Sequence, residues 1–378
     1  MAKSSLSLKA HFRKLKDPRR KHGQRHRFLD ILVVAICGVI AGANSWTDIA
    51  EFGRRRLCWL KRFLDLPNGI PSHDTFERVF QLIDPRMFEA CFRQWMLAVA
   101  ETVGCTHIAI DGKTLRRSGS SDLGPLHLVS AWATKNHLSL GQVAVETKSN
   151  EITAIPQLLE LLELRGALVT IDAIGCQKEI AAAIRNRGGH YVLTVKDNQE
   201  NLLTDIQQCF AQAAEKDFEG VDHDTYEMRE EGHGRQEYRS YTILRNPTGI
   251  RNQAAWRDLT VIGMCYSERT VNGQTSEEAR YFIGSKTATA RHYGNALRNH
   301  WRIENSLHWQ LDVSFREDEQ RTRERNAAQN MALLRRLGIT LLKRTPGPGS
   351  IANKRLQAAW DTDYLQEVVH RSASLVTL

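Results

Sequence analysis

The 378 residues carry 42% hydrophobic side chains and a net charge of +9, which excludes a disordered chain and allows two folded domains or one domain with a large insertion. No apolar run reaches 18 residues, as a membrane-spanning helix would require. The seven cysteines form no CxxC pair, so we expect a cytoplasmic protein with reduced thiols and no membrane contact.

The positive charge is concentrated at the N-terminus. Residues 1–30 contain ten Lys or Arg and two Asp, and the rest of the chain is nearly neutral. Such a basic segment is typical of polyphosphate contacts, although a solvated tail can have the same composition. We define residues 1–27 as a basic N-terminal arm, and both interpretations stay open at this point.

Apolar residues at helical spacing predict an all-helical domain over residues 28–103. Ser45 and Ser72 are candidate N-caps, and Pro85 can open a further helix. The domain also carries a cationic surface around Arg54 to Arg56, for which a solvated helix face is the somewhat better explanation.

The pattern changes at residue 107 to short apolar runs followed by alternating helices. Strands are predicted over 107–111, 126–133, 138–146, 167–172 and 190–195, with helices over 153–164, 177–187 and 198–214. The first three strands, joined by hairpins, cannot all be parallel, whereas the later strands alternate with helices and should pair in parallel. We therefore predict an α/β domain over residues 104–345 with a mixed five-stranded sheet and helices on both sides.

Two segments depart from this alternation. Short alternating runs predict a β-rich insertion at about residues 218–285. Helical spacing returns over 289–309 and 326–342, and residues 346–378 are predicted to form a helical tail.

Aspartates stand at the ends of two of the predicted strands. Asp111 ends the first, Asp172 ends the fourth, and ligands bind at this edge of open α/β sheets. If these strands are neighbours, both carboxylates emerge side by side. Gly112 permits a turn after Asp111, and Lys113 and Arg116 are placed to meet an anion.

A third acid, Glu304, lies in a predicted helix where His300, Glu304, His308 and Asp312 recur every four residues on one stripe. Carboxylates from separate elements favour Mg²⁺ or Mn²⁺, which prefer oxygen ligands. The His–Glu–His spacing also resembles helical zinc ligands, although the HExxH motif is absent and no cysteine lies near.

Three segments resemble the DDE motif of insertion-sequence transposases. They are Asp111-Gly-Lys, Ile-Asp172-Ala and Asn299-His-Trp-Arg-Ile-Glu304-Asn-Ser-Leu-His-Trp. The nearest resemblance is to the ISAs1 family, of the H-repeat-associated type, within the IS4-like DDE class. It covers nearly the whole chain, and the helical region resembles the domain that accompanies this transposase core.

The resemblance implies a ribonuclease-H-like fold with a β insertion before the last catalytic helix. It implies a DNA transposase with Asp111, Asp172 and Glu304 as catalytic residues and metal ligands, using Mg²⁺ or Mn²⁺, with two ions expected. DNA is the implied partner, both as element ends and as target, with a homodimer in the DNA complex. A nucleoid-associated protein without a small-molecule cofactor is expected.

The chain departs from the wider class around the last acid. Where that class carries Tyr, Arg and Lys, this chain has Leu297, His300 and Leu311. The phosphate contacts of that Arg and Lys therefore cannot be transferred, and Arg298, Arg302 or His308 are candidate substitutes.

Further DNA contacts are predicted in the insertion and the last helix. His233 and Arg235 flank Gly234 in a turn that could grip a phosphate, although a plain surface turn has the same pattern. Trp301 and Trp309 could stack on bases, but their helical spacing favours the core.

Three functions are compatible with these residues. The leading hypothesis is metal-dependent cleavage at element ends followed by strand transfer into a target. The alternatives are a nuclease that only hydrolyses DNA and a domesticated DNA-binding regulator without catalysis. The presence of all three acids argues against the last.

Overall fold

The computed structural model of the chain describes residues 8–103, 105–119, 124–145, 151–232 and 234–370. Contacts group the described residues into two compact units. The first unit comprises those of 1–105, 112–148 and 304–378, and the second those of 106–111 and 149–303. The N-terminal helices therefore share a unit with the C-terminal helices rather than standing apart.

The first unit is mainly helical. Its helices are α1 (Leu8–Phe12), α2 (Phe28–Ile40), α3 (Trp46–Arg55), α4 (Leu57–Leu60), α5 (His73–Leu82), α6 (Pro85–Val103), α11 (Trp309–Val313), α12 (Arg325–Arg344), α13 (Ile351–Trp360) and α14 (Thr362–His370). The predicted starts are confirmed: Ser45 and Asp48 form a capping box for α3, Ser72 caps α5, and Pro85 is the first residue of α6. None of the helices in the described ranges is long and apolar enough to cross a membrane.

The described part of the basic arm is attached to this unit. Phe12 is buried and its ring centroid lies 5.3 Å from that of Phe88, on α6. Leu15 is buried as well, whereas Arg13, Lys14, Lys16, Arg20 and Lys21 are exposed and Arg19 is paired with Asp17. Apolar anchors therefore hold the described arm residues, so this part is not a solvated tail.

Helix α12 runs through the core of the first unit, and 15 of its 20 residues are buried. Its Asn330 donates hydrogen bonds from Nδ2 to the carbonyl oxygens of Phe80, at 2.8 Å, and Ile83, at 3.0 Å. The last carbonyls of a helix have no partner within it, so this side chain completes the C-terminal end of α5.

The strands form one sheet in the order β3-β2-β1-β4-β5-β9-β8-β7-β6. They are β1 (His107–Leu115), β2 (Leu126–Ala133), β3 (Leu138–Val145), β4 (Leu168–Ile171), β5 (His190–Val195), β6 (His223–Gly232), β7 (Arg235–Arg245), β8 (Val261–Val271) and β9 (Gln274–Gly284). Strand β2 pairs antiparallel with β3, whereas β4 pairs in parallel with β1 and β5. The mixed five-stranded sheet is thus confirmed, with β1 at its centre.

The insertion extends this sheet, because β9 pairs antiparallel with β5. Its strands are also longer than predicted. Strand β6 gave no sequence signal because nearly all its side chains are polar and none is buried. The first strand also differs from the prediction: it continues through Gly112 to Leu115 instead of turning after Asp111.

The second unit packs helix α10 (Ala290–Ile303) against the sheet. Its other helices are α7 (Glu151–Glu160), α8 (Lys178–Asn186) and α9 (Glu200–Glu215). Ala290, Tyr293 and Ala296 join buried side chains of the sheet in one apolar cluster. A Cβ atom on Gly284 would lie 2.4 Å from the Tyr293 hydroxyl, so only glycine lets this ring lie on β9. The packing fixes the helix that leads to Glu304.

We expect Asn330→Leu to destabilise the protein by about 2–3 kcal/mol, because the substitution keeps the branching of the side chain but leaves buried carbonyls without a donor. Chemical denaturation of the full chain measures this. The matched control is Asn353→Leu on the exposed side of α13, which should stay within about 0.5 kcal/mol of wild type. Equal effects of the two variants would contradict the role assigned to Asn330.

Candidate active site

Asp111 and Asp172 lie at the same edge of two adjacent parallel strands. The register pairs Ile110 with Ile171, and each aspartate is the next residue along its strand. The predicted adjacency of the two strand positions is therefore confirmed. Two carboxylates at neighbouring strand positions repel each other unless a cation or proton lies between them.

The loop after Asp172 is held rigidly. The Asp172 carboxylate accepts a hydrogen bond from the backbone N–H of Ile174 at 3.2 Å and caps a short 3₁₀ helix, Ala173–Gly175. From the segment after β5, Asn198 donates to the Ala173 carbonyl at 2.8 Å and Gln199 donates to the Cys176 carbonyl at 2.9 Å. The orientation of Asp172 is thus fixed by the neighbouring strand connection.

Glu304 begins a π-helical turn, Glu304–His308, between α10 and α11. Its side chain is 58% exposed, and its Oε2 lies 3.7 Å from Nδ1 of the buried His308. A π turn inserted into a helix is frequent at functional sites because it redirects side chains locally.

Glu304 and His308 belong to the first unit and together offer two candidate metal-ligand atoms, Oε2 and Nδ1, which lie 3.7 Å apart. Carboxylate oxygens suit Mg²⁺ and Mn²⁺, and an imidazole nitrogen is also accepted by transition metals. The donor set therefore fits a divalent cation. It does not reproduce the His–Glu–His zinc arrangement, because His300 is outside this pair.

His300 belongs to a buried polar cluster beneath the aspartates. Its Nδ1 lies 3.1 Å from the Thr170 hydroxyl, and His107 Nε2 lies 3.0 Å from the same oxygen. Burial is the main cause that lowers the pKa of His107 to about 4, with smaller effects from His300 and His292. Thr170 thereby links β4 to β1 and α10, a contact for which the sequence offered no local signal.

Lys113 is placed differently from the prediction of a phosphate contact. Its side chain is 8% exposed, and its ammonium contacts the carboxylates of Asp312, Glu317 and Asp318. The lysine is thus surrounded by acids of its own unit. Glu317 is fully buried and paired with Arg336, so this acid belongs to the core.

The other predicted DNA contacts have mixed surroundings. Arg116 and Arg302 are exposed, and Arg116 Nε lies 3.3 Å from Asp318. Arg235 pairs with Glu237 at 3.3 Å, and Arg298 pairs with Glu230. His233 lies outside the described residues. Their DNA contacts stay predictions.

The prediction that the two tryptophans pack in the core is wrong. Trp301 is 46% exposed and Trp309 is 52% exposed. The guanidinium of Arg280 lies over the Trp301 ring, 5.2 Å from its centroid. Helical spacing correctly groups side chains on a face, but it does not tell whether another element covers that face.

The chain belongs to the DDE transposase family. Residues 104–341 match the family described as "Transposase DDE domain", and residues 9–96 match the one described as "DDE_Tnp_1-associated". This confirms the expected family and its ribonuclease-H-like fold class.

Relatives of the chain carry names of the same kind. The "H repeat-associated putative transposase YhhI" of Escherichia coli strain K12 is 38% identical over 370 residues, which cover 96% of this chain and 97% of that protein. "Putative transposase YncI" of Escherichia coli O157:H7 is 39% identical over 381 residues, covering 98% and 96%. "Inactive transposase YbfQ" of strain K12 is 52% identical over 54 residues, which cover 14% of this chain and 64% of that protein.

We expect Thr170→Val to destabilise the protein by about 2–3 kcal/mol, because two buried imidazole nitrogens lose the hydroxyl that faces them. Urea unfolding at pH 7 measures the change. Thr170→Ser keeps the hydroxyl and should recover most of the loss. If Thr170→Ser is as unstable as Thr170→Val, the hydroxyl is not the stabilising group.

Proposed function

We propose that this protein is a metal-dependent DNA transposase that cuts DNA at insertion-sequence ends and joins the ends to a target. In this proposal Asp111, Asp172 and Glu304 are the metal ligands. The observation that carries it is the parallel register of β1 and β4, which brings two carboxylates to one sheet edge. The proximity of the Glu304 and His308 side chains supports it further.

The role of the carboxylates follows from charge. Their negative oxygens would hold Mg²⁺ or Mn²⁺ with water and DNA phosphate completing the coordination shell. When bound at these residues, the metal would supply activation of an attacking oxygen and stabilisation of the leaving one. The rigid loop after Asp172 and the packed helix before Glu304 keep these ligands in place, so little reorganisation is needed on binding.

The His308 imidazole is an additional candidate ligand or orienting group in this proposal. It lies beside Glu304, and its burial limits the motion of that ligand pair. A ligand set with one nitrogen accepts Mn²⁺ more readily than Mg²⁺.

DNA would be bound mainly through basic surfaces apart from the acids. The exposed cations of the described arm residues are held near the helical domain by Phe12 and Leu15. Each cation that neutralises a phosphate contributes affinity that falls with salt. Two element ends must be brought together for transposition, so we propose that two copies act on one DNA complex.

We expect Asp111→Asn, Asp172→Asn and Glu304→Gln each to reduce cleavage of a donor DNA by about 1000-fold, since the metals supply several kcal/mol of transition-state stabilisation. An amide keeps the shape but loses the charge that holds the metal. A cleavage and strand-transfer assay with Mg²⁺ or Mn²⁺ measures this, alongside a DNA-binding assay that should show little change.

The matched control is Glu215→Gln at the exposed end of α9, which should leave both steps unchanged. EDTA should stop the reaction and added Mg²⁺ or Mn²⁺ should restore it. An amide variant that cleaves at the wild-type rate would refute the ligand assignment. Wild-type cleavage without joining would identify a nuclease, and DNA binding without either step would identify a regulator.

For the arm, we expect replacement of four exposed cations by Gln to reduce the slope of log affinity against log salt by as much as about 4, because each phosphate contact contributes roughly 0.9. The four are Arg13, Lys16, Arg20 and Lys21. The control replaces four exposed cations elsewhere, namely Lys135, Arg165, Lys216 and Arg257. Equal slopes for the arm variant and wild type would show that the arm does not touch DNA.

A further inference from the structure

Lys113 is the centre of a charge network within the first unit. Its Nζ lies 2.5 Å from Asp312 Oδ1, 3.4 Å from Asp318 Oδ1 and 3.6 Å from Glu317 Oε2. These acids belong to α11 and to the short 3₁₀ turn Glu317–Glu319. The network therefore ties strand β1 to the segment that follows the π-helical turn.

A second layer supports the first. Glu317 is completely buried and its Oε1 lies 3.2 Å from Nη1 of Arg336 on α12. Burial alone would raise the pKa of Glu317, but Arg336 and Lys113 together hold it below its usual range. Glu317 thus stays ionised and keeps its place between the lysine and the helix core.

The balance of charge makes the lysine essential to this arrangement. Three carboxylates face one buried ammonium, and only Glu317 has a second buried cation. Burial raises the pKa of Asp312, Lys113 lowers it, and the nearby Asp318 and Glu317 raise it again. Without the lysine the three acids would repel one another, and α11 would lose its attachment to β1.

The position of the network relates it to the proposed active site. Lys113 stands two residues after Asp111, so both side chains project from the same face of β1. Asp312 stands eight residues after Glu304 and four after His308, in one continuous helical segment from Ala290 to Val313. When contacts fix the Asp312 side chain, they also fix the rotation of the π-helical turn about the helix axis and its position along that axis. This turn carries Glu304 and His308.

We infer that Lys113 is a positioning residue that orients Glu304 and His308 through its contacts with Asp312, Glu317 and Asp318, and that it is not a DNA contact. This inference rests on the proposed metal-dependent function. Residues that orient metal ligands commonly change metal affinity 10–100-fold when removed.

The test compares Lys113→Met with wild type in the full chain without DNA. The Mn²⁺ concentration for half-saturation, measured by electron paramagnetic resonance of free Mn²⁺, should rise about tenfold or more. Amide hydrogen exchange over residues 304–313 should become faster without metal. The salt slope of DNA binding should stay the same.

Two further variants sharpen the comparison. Asp312→Asn, at a partly exposed partner of Lys113, should lower Mn²⁺ affinity as Lys113→Met does. The double variant Lys113→Met/Asp312→Asn should bind Mn²⁺ no more weakly than the stronger single variant, because both substitutions break the same contact. Lys135→Met removes an exposed lysine of the same unit and should change neither Mn²⁺ affinity nor exchange. Additive effects of Lys113→Met and Asp312→Asn would overturn the inference.

Other outcomes also decide the matter. A salt slope reduced by about 1 with unchanged Mn²⁺ affinity would identify Lys113 as a phosphate contact and overturn the inference. A lower melting temperature with unchanged Mn²⁺ affinity would show a purely structural role and overturn it too. Asp111→Asn tests the proposed function separately: if wild type and this variant bind Mn²⁺ equally, that function fails. The hydrogen-exchange comparison would then still decide whether Lys113 holds residues 304–313.

Discussion

The parallel pairing of β1 with β4 is the constraint on which the candidate site depends. Backbone hydrogen bonds set Ile110 opposite Ile171, and this register alone brings Asp111 and Asp172 to one edge. A one-residue slip would send one of the two carboxylates to the opposite face. The Thr170 hydroxyl on β4 lies between the buried imidazoles of His107 on β1 and His300 on α10. These contacts stabilise the pairing of the two strands just below the acids.

Negative charge at this edge is organised in two zones with different partners. Asp111 and Asp172 stand side by side at the ends of adjacent strands, where their charges repel each other and a divalent cation would suit them. The acids at positions 312, 317 and 318 are instead neutralised by Lys113 and Arg336. Buried carboxylates need paired charges to remain ionised, and in the second zone the chain supplies those pairs. Because the two groups of acids have different partners, several acids can lie near one strand without destabilising the fold.

The sequence predicted what depends on local pattern and missed what depends on distant partners. The sequence singled out Asp111 and Asp172 because apolar runs precede them, and Glu304 through its family segment; their role as metal ligands stays a prediction. The surroundings of Lys113 could not be found, because Asp312 lies 199 residues further along the chain. Strand β6 could not be found because it has no buried face. The exposure of Trp301 depends on which other elements pack against its helix, and residue spacing does not reveal that. Gly112 suggested a turn directly after Asp111, but this glycine lies inside strand β1.

The π-helical turn explains why the predicted four-residue stripe divides among three partners. In a regular α-helix His300, Glu304, His308 and Asp312 would share one face. A π turn uses i to i+5 hydrogen bonds and so shifts the following side chains around the axis. His300, before the turn, faces Thr170; Glu304 and His308, within it, face each other; and Asp312, after it, reaches Lys113. The same turn that exposes Glu304 therefore also brings Asp312 to the lysine, so the proposed metal ligand and its supporting contact depend on one irregularity of the helix.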